Sequence, residues 1–141
     1  MLSALARLFR SMSRAAIALG MSLCLLLTAC SGEADATLSG DYAVDTVAVA
    51  KNLLAVIELP QDDPDHLQVE TDAKDLINSY ISRYRPQPKF NGLSSFTTMQ
   101  TALNSLAGHY TNYSNRPIPE QLHDRLVKEI SKAEKAVARG N

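Results

Sequence analysis

FTTMQTALNSLAGHY, residues 96–110, places Phe96, Met99, Leu103, Leu106 and Tyr110 at successive spacings of 3, 4, 3 and 4. That rhythm returns one apolar side chain per turn to the same face, so it predicts an amphipathic helix starting near Ser94 or Ser95. The positions left over are Thr97, Thr98, Gln100, Thr101, Asn104, Ser105 and His109, polar but without a fixed charge. From Phe90 to Asn115 there is no Asp, Glu, Lys or Arg, although charged residues make up 21% of the chain. An outward helix face on an isolated domain normally carries Lys and Glu.

Three more helical patterns surround this one. Ala43, Val47, Ala50, Leu54 and Ile57 share a face, with Ser39 and Asp41 near the start and Pro60 at the stop. Asp63-Pro64 then offers a capping acid and a proline suited to a first helical turn. Val69, Ala73, Leu76, Ile77, Tyr80, Ile81 and Tyr84 follow as a broad apolar stripe, closed by Pro86 and Pro88. The last helix is expected from Pro119, with Leu122, Leu126, Ile130, Ala133 and Val137 inward before Gly140. No segment alternates with period two, so no sheet is expected. Short connections between helices of similar length predict an all-α, up-down-up-down four-helix bundle over 39–141.

The first thirty residues are read apart from the fold. Arg7, Arg10 and Arg14 precede an uncharged, mostly apolar run, Ala15 to Leu27, too short to span a bilayer but fit for the h-region of a secretory signal. Leu27-Thr28-Ala29-Cys30 ends the run and resembles a bacterial lipoprotein signal, in which the cysteine is acylated after the signal is cut. An ordinary signal peptide with an incidental cysteine is the alternative. The lipoprotein reading divides the chain into a signal (1–29), lipidated Cys30 with a flexible tether (30–38), and the bundle. It leaves no cysteine free for a disulfide, and it anchors the protein to a membrane without spanning it.

Charge is unevenly distributed. Residues 33–75 hold eleven acids against Lys51 and Lys74, whereas residues 76–141 hold four acids against nine bases. This is not the basic, aromatic-studded surface of a nucleic-acid binder. Either the halves neutralise each other inside the folded domain, or the charge orients the protein on a partner.

Motifs with catalytic or metal chemistry are missing from the sequence. Asp62, Asp63, Asp65, His66, Glu70 and Asp72 gather acids, but without the glycine and terminal glutamate of a calcium loop. They are better explained as the favourable acidic start of a helix. His66, His109 and His123 lie on different elements with no second ligand at metal spacing, and His109 reads as a packed or hydrogen-bonded bundle residue. No phosphate loop, nucleophile elbow, haem or zinc motif occurs. The expectation is a non-enzymatic monomer without cofactor or metal.

The uncharged third long helix then reads as an interface. Small hydroxyl and amide groups lose water at moderate cost, whereas an unpaired buried charge costs far more. Arg83, Arg85, Lys89 and Arg116 flank it, and no acid occurs between Leu76 and Pro119. The candidate partner-binding set is therefore Arg83, Arg85, Lys89, Thr97, Gln100, Thr101, Asn104, Tyr113 and Arg116. The alternative is that this helix is merely the most enclosed, its polar groups bonding to neighbouring loops.

Here the chain resembles a known family. FTTMQTALNSLAGHY (96–110), with SRYR (82–85) before it and RPIPEQL (116–122) after it, is similar to the small lumenal photosystem II assembly and repair lipoproteins of cyanobacteria. The resemblance implies a four-helix bundle lipid-anchored on the lumenal side of the thylakoid membrane, with Cys30 lipidated. It implies transient binding to immature photosystem II through the smaller chlorophyll-binding core antenna subunit, and help in maturing the manganese–calcium oxygen-evolving cluster. No chlorophyll or metal of its own is implied. Without the resemblance, the residues point to a lipid-anchored helical interaction protein of the cell envelope.

Overall fold

The structure is a computed structural model that describes residues 38–141; the signal, Cys30 and most of the tether lie outside the described residues. Four long helices are present, α1 (Tyr42–Ile57), α2 (His66–Tyr84), α4 (Ser94–Asn112) and α5 (Glu120–Ala138), together with a single turn, α3 (Pro88–Asn91). The fold is all-helical. Helix α1 packs on α2 and α5, and α4 packs on α2 and α5, which closes a four-membered ring.

Contacts at the two ends fix the directions. At one end Tyr42, which opens α1, stacks on Phe90 and shares a hydrogen bond with Ser95 at the start of α4. Tyr84, which closes α2, meets the Tyr42 ring edge-on. At the other end His123 near the start of α5 reaches Glu58 just past α1, and Gln61 reaches Asn115 just past α4. Successive long helices therefore run antiparallel, as their short connections dictate.

The α4 stripe is buried as its spacing predicts: Phe96, Met99, Leu103, Leu106 and Tyr110 are all in the core, and Ala102 joins them. On α2, Ala73, Leu76, Ile77, Tyr80 and Tyr84 point inward. The inward face of α1 differs from the expected one. Ala43 is exposed, while Tyr42, Asp45, Thr46, Val49, Ala50, Leu53 and Ile57 are buried. The reason is a buried polar network that rotates the seam. Asp45, only 2% exposed, accepts hydrogen bonds from the Ser39 N–H and hydroxyl, the Gly40 N–H and the Tyr84 hydroxyl. Thr46 donates to the Tyr42 carbonyl and bonds the Tyr80 hydroxyl.

Two smaller expectations also change. Pro88 does not merely end a helix but opens the extra turn α3, where its missing N–H costs nothing. Asp63 does not cap α2, which starts three residues later; its carboxylate accepts from the Asp65 N–H within the preceding turn.

Candidate functional site

The uncharged face of α4 is open to solvent. Thr97, Thr101, Asn104, Thr111 and Asn112 are exposed, and Gln100 and Ser105 are half-buried. Apart from buried His109, none of these polar groups bonds to a neighbouring loop, so enclosure is not why charge is missing. Five of them turn back on their own helix instead. The hydroxyls of Thr97, Thr101, Ser105 and Thr111 donate to the carbonyls of Leu93, Thr97, Thr101 and Ala107, and the Asn112 side chain donates to Gly108. Such bonds occupy the donors locally. What faces outward is a strip of hydroxyls whose donors are already used, with the neutral amides of Gln100 and Asn104, which can be dried at less cost than a charge.

Beside this strip runs a groove of about 440 Å³ between α4 and α5, lined by Thr97, Thr98 and Thr101 on one wall and on the other by Arg125, Lys128 and Lys132, with Glu129 the one acid among them. Arg125 donates to the Ser105 hydroxyl at 2.8 Å. These cations belong to a stripe, Arg125, Lys128, Lys132, Lys135 and Arg139, at 3-4-3-4 spacing. Asp124, Glu129 and Glu134 interleave with these cations in the sequence, and only the helical arrangement lines the cations up.

At the far end of α4 the chain turns through Tyr113–Pro119. Tyr113 is 61% exposed, and with His109, Arg116, Pro117 and Pro119 it borders a second hollow of about 510 Å³. This loop is held from beneath. His109 is buried and donates its Nε2–H to the Arg116 carbonyl at 3.2 Å. Glu70, 1% exposed, accepts the Asn115 N–H at 2.8 Å, with Lys74 3.9 Å from its other oxygen. Asn115 has φ 54, a conformation that asparagine tolerates better than most residues. The Glu70 charge and burial together push the Tyr110 hydroxyl up to about 12, burial being the larger cause. Glu70 is a structural residue that the sequence hid inside its acid cluster. The rest of that cluster does not converge, and no group of three or more His, Cys, Asp or Glu among the described residues is arranged to hold a metal.

The structure does not bring the nine candidate residues into one patch. Thr97, Gln100, Thr101 and Asn104 share the α4 face. Arg83, Arg85 and Lys89 are exposed at the end where α4 begins, and Tyr113 and Arg116 at the end where it stops. A 19-residue helix, about 28 Å long, separates the two groups. Cys30 lies outside the described residues.

These features define a class: a small four-helix bundle with one uncharged, solvent-exposed helix face and a braced loop at the end of that helix. The sequence matches, over residues 3–137, the family described as Photosystem II Pbs27. It is 49% identical over 124 residues to the photosystem II lipoprotein Psb27 of Synechocystis sp., covering 88% of this chain and 91% of that one. It is 43% identical to the photosystem II assembly factor lipoprotein Psb27 of Thermosynechococcus vestitus, covering 86% and 90%. Among solved structures, a Psb27 from cyanobacterial photosystem II in solution aligns with TM-score 0.72 at 50% identity, covering 79% of this chain and 97% of that one. The crystal structure of PSB27 from Arabidopsis thaliana aligns with TM-score 0.69 at 31% identity, covering 71% and 98%. The chain belongs to the photosystem II Psb27 family.

Proposed function

We propose that this chain is a photosystem II assembly and repair factor that works by occupancy, without catalysis. It docks transiently on the lumenal side of immature photosystem II, on the smaller chlorophyll-binding core antenna subunit, and assists biogenesis of the manganese–calcium cluster until the mature enzyme excludes it. Lipidated Cys30 holds it at the thylakoid membrane as a monomer. The names borne by its relatives, assembly factor and lipoprotein, support the role. No described helix is long and apolar enough to cross a membrane, in keeping with attachment through the N-terminal segment.

The observation that carries the docking reading is the exposed α4 strip, whose hydroxyl donors are already spent on its own backbone. A partner can cover it without stranding a charge. The cations of the adjoining groove favour an acidic partner surface alongside, and the buttressed 113–116 loop supplies Tyr113 and Arg116, residue types that anchor interfaces.

The test is a gentle-detergent pull-down of the tagged full chain from its native membranes. Recovery of photosystem II cores lacking the extrinsic oxygen-evolving subunits is the expected result. Failure to recover any photosystem II subunit, under conditions that keep immature cores intact, would leave an envelope interaction protein without a photosystem role.

A further inference from the structure

The antiparallel order sorts the charges by end. Where α2 stops and α5 stops, the exposed cations Arg83, Arg85, Lys89, Lys135 and Arg139 face only Asp41 and Glu134 in the same turns, Asp45 being buried in its own hydrogen bonds. None of the five cations forms an ion pair among the described residues. Lys89 instead lies 4.6 Å over the Phe90 ring, which rests on Tyr42 and so holds that ammonium at the rim. The opposite end carries Glu58, Asp62, Asp63, Asp65, Glu120 and Asp124 against Arg116. The domain is an axial electric dipole.

The chain enters the domain at the basic end. Leu38 packs against the core, and the Asp45 carboxylate ties down the backbone N–H groups of Ser39 and Gly40. The N-terminal segment therefore leaves from among the cations. From Cys30 to Leu38 the chain can reach at most about 28 Å, no more than the length of the bundle. A membrane-attached segment therefore keeps this end within about 28 Å of the bilayer.

From these two observations we propose that the basic end is a docking surface for an anionic lipid headgroup layer, so that the bundle stands on the membrane with its 113–116 loop pointing away. The proposal rests on the reading that the segment before Leu38 is membrane-attached. A bilayer fits better than an acidic protein here, because the cations come from three separate elements around one end and surround the point of attachment. It also divides the surface by role: the end meets lipid, and the α4 face and distal loop stay free for the protein partner.

The experiment is hydrogen exchange of the full chain reconstituted into vesicles of phosphatidylcholine alone or mixed with phosphatidylglycerol, with flotation scoring attachment separately. On anionic vesicles, backbone amides around 85–92 and 138–141 should exchange several-fold more slowly than on neutral ones, and high salt should abolish the difference. Amides around 61–66 and 113–118 should not change. The variant carrying Arg85→Gln, Lys89→Gln and Arg139→Gln, all exposed positions whose folding a thermal melt checks, should lose roughly a hundredfold in the docking equilibrium, about fivefold per cation. Attached protein with identical exchange on both vesicles overturns the proposal. Slowing that appears only when photosystem II cores are added would also overturn it, assigning the basic end to a protein partner. Protein that fails to float refutes membrane attachment itself and the proposal with it, while leaving α4 docking to the pull-down.

Discussion

Gly108 lies on the uncharged strip in the last two turns of α4, between Ser105 and Thr111, and a β-carbon built there meets no heavy atom within 4 Å. Its backbone is helical, so a side chain brings no strain. In the free protein Gly108→Ala should therefore stabilise the helix by about 0.5–1 kcal/mol. For a domain of this size that is a rise in Tm of roughly 2–8 °C, read by far-UV circular dichroism. Gly108→Leu should keep most of that gain, because its side chain projects into solvent. If a partner closes over this strip, however, the leucine occupies space shaped for a glycine. Overpacking costs about 1–3 kcal/mol, or roughly 5- to 150-fold in Kd for immature photosystem II cores. A more stable variant that binds less well is the signature of an interface glycine. Undiminished affinity in Gly108→Leu, with the Tm raised, would refute α4 as the docking face. A lowered Tm in Gly108→Ala would refute the open packing assigned to that turn.

Three further perturbations probe the supports. Asp45→Asn should cost about 2–3 kcal/mol, because burial pushes the carboxyl up but bonds from Ser39, Tyr84 and Gly40 outweigh it and hold it below the ordinary 3.8. The depressed value means that wild type loses this contribution as pH falls from 3.8 through the folded value, so its acid melting curve should be steeper than that of the variant; parallel curves would contradict the assignment. Glu70→Ala strands the Asn115 N–H at a cost of about 1–3 kcal/mol and should accelerate hydrogen exchange at Asn115 and Arg116, whereas unchanged exchange there would deny it the buttress role. His123 is raised above 6.5 by its bond to Asp124, against slight burial, and by Glu58, so its support is full below 6.5 and fades as pH rises through its folded value. His123→Gln should accordingly match wild type at alkaline pH and melt a few degrees lower in mild acid; an equal deficit at both would point to packing instead.

The helices were legible where the core is made of apolar side chains, as on α4 and α5, since burial of Leu103, Leu106, Leu126 and Ile130 follows directly from their spacing. On α1 the same reasoning chose the wrong seam. It left Asp45 and Thr46 out of the inward set, because nothing local in the sequence says that Tyr84 and Tyr80, more than thirty residues away, will satisfy them. Glu70 was hidden for the same reason: its partner is a backbone N–H in a loop 45 residues on. Apolar burial is written into periodicity, whereas polar burial is decided by a partner that only the fold supplies.

The charge pattern shows how far topology extends such a reading. Two possibilities stood open in the sequence, mutual neutralisation of an acidic first half and a basic second half, or an oriented surface. In an antiparallel bundle the connection after α1, rich in Asp, and the connection after α2, rich in Arg and Lys, must fall at opposite ends, about 28 Å apart. Charges that far apart at the surface, beyond two Debye lengths at physiological salt, do not neutralise each other. Helix α5 then adds Glu120 and Asp124 to the acidic end and Lys135 and Arg139 to the basic one, reinforcing the separation. Residues that looked like one basic rim around α4 thus divide between two tasks: Arg83, Arg85 and Lys89 belong with the point where the chain enters, and Arg116 with the distal loop. Neutralising either group should therefore leave the other's contact intact, which no single-patch arrangement of the nine residues would allow.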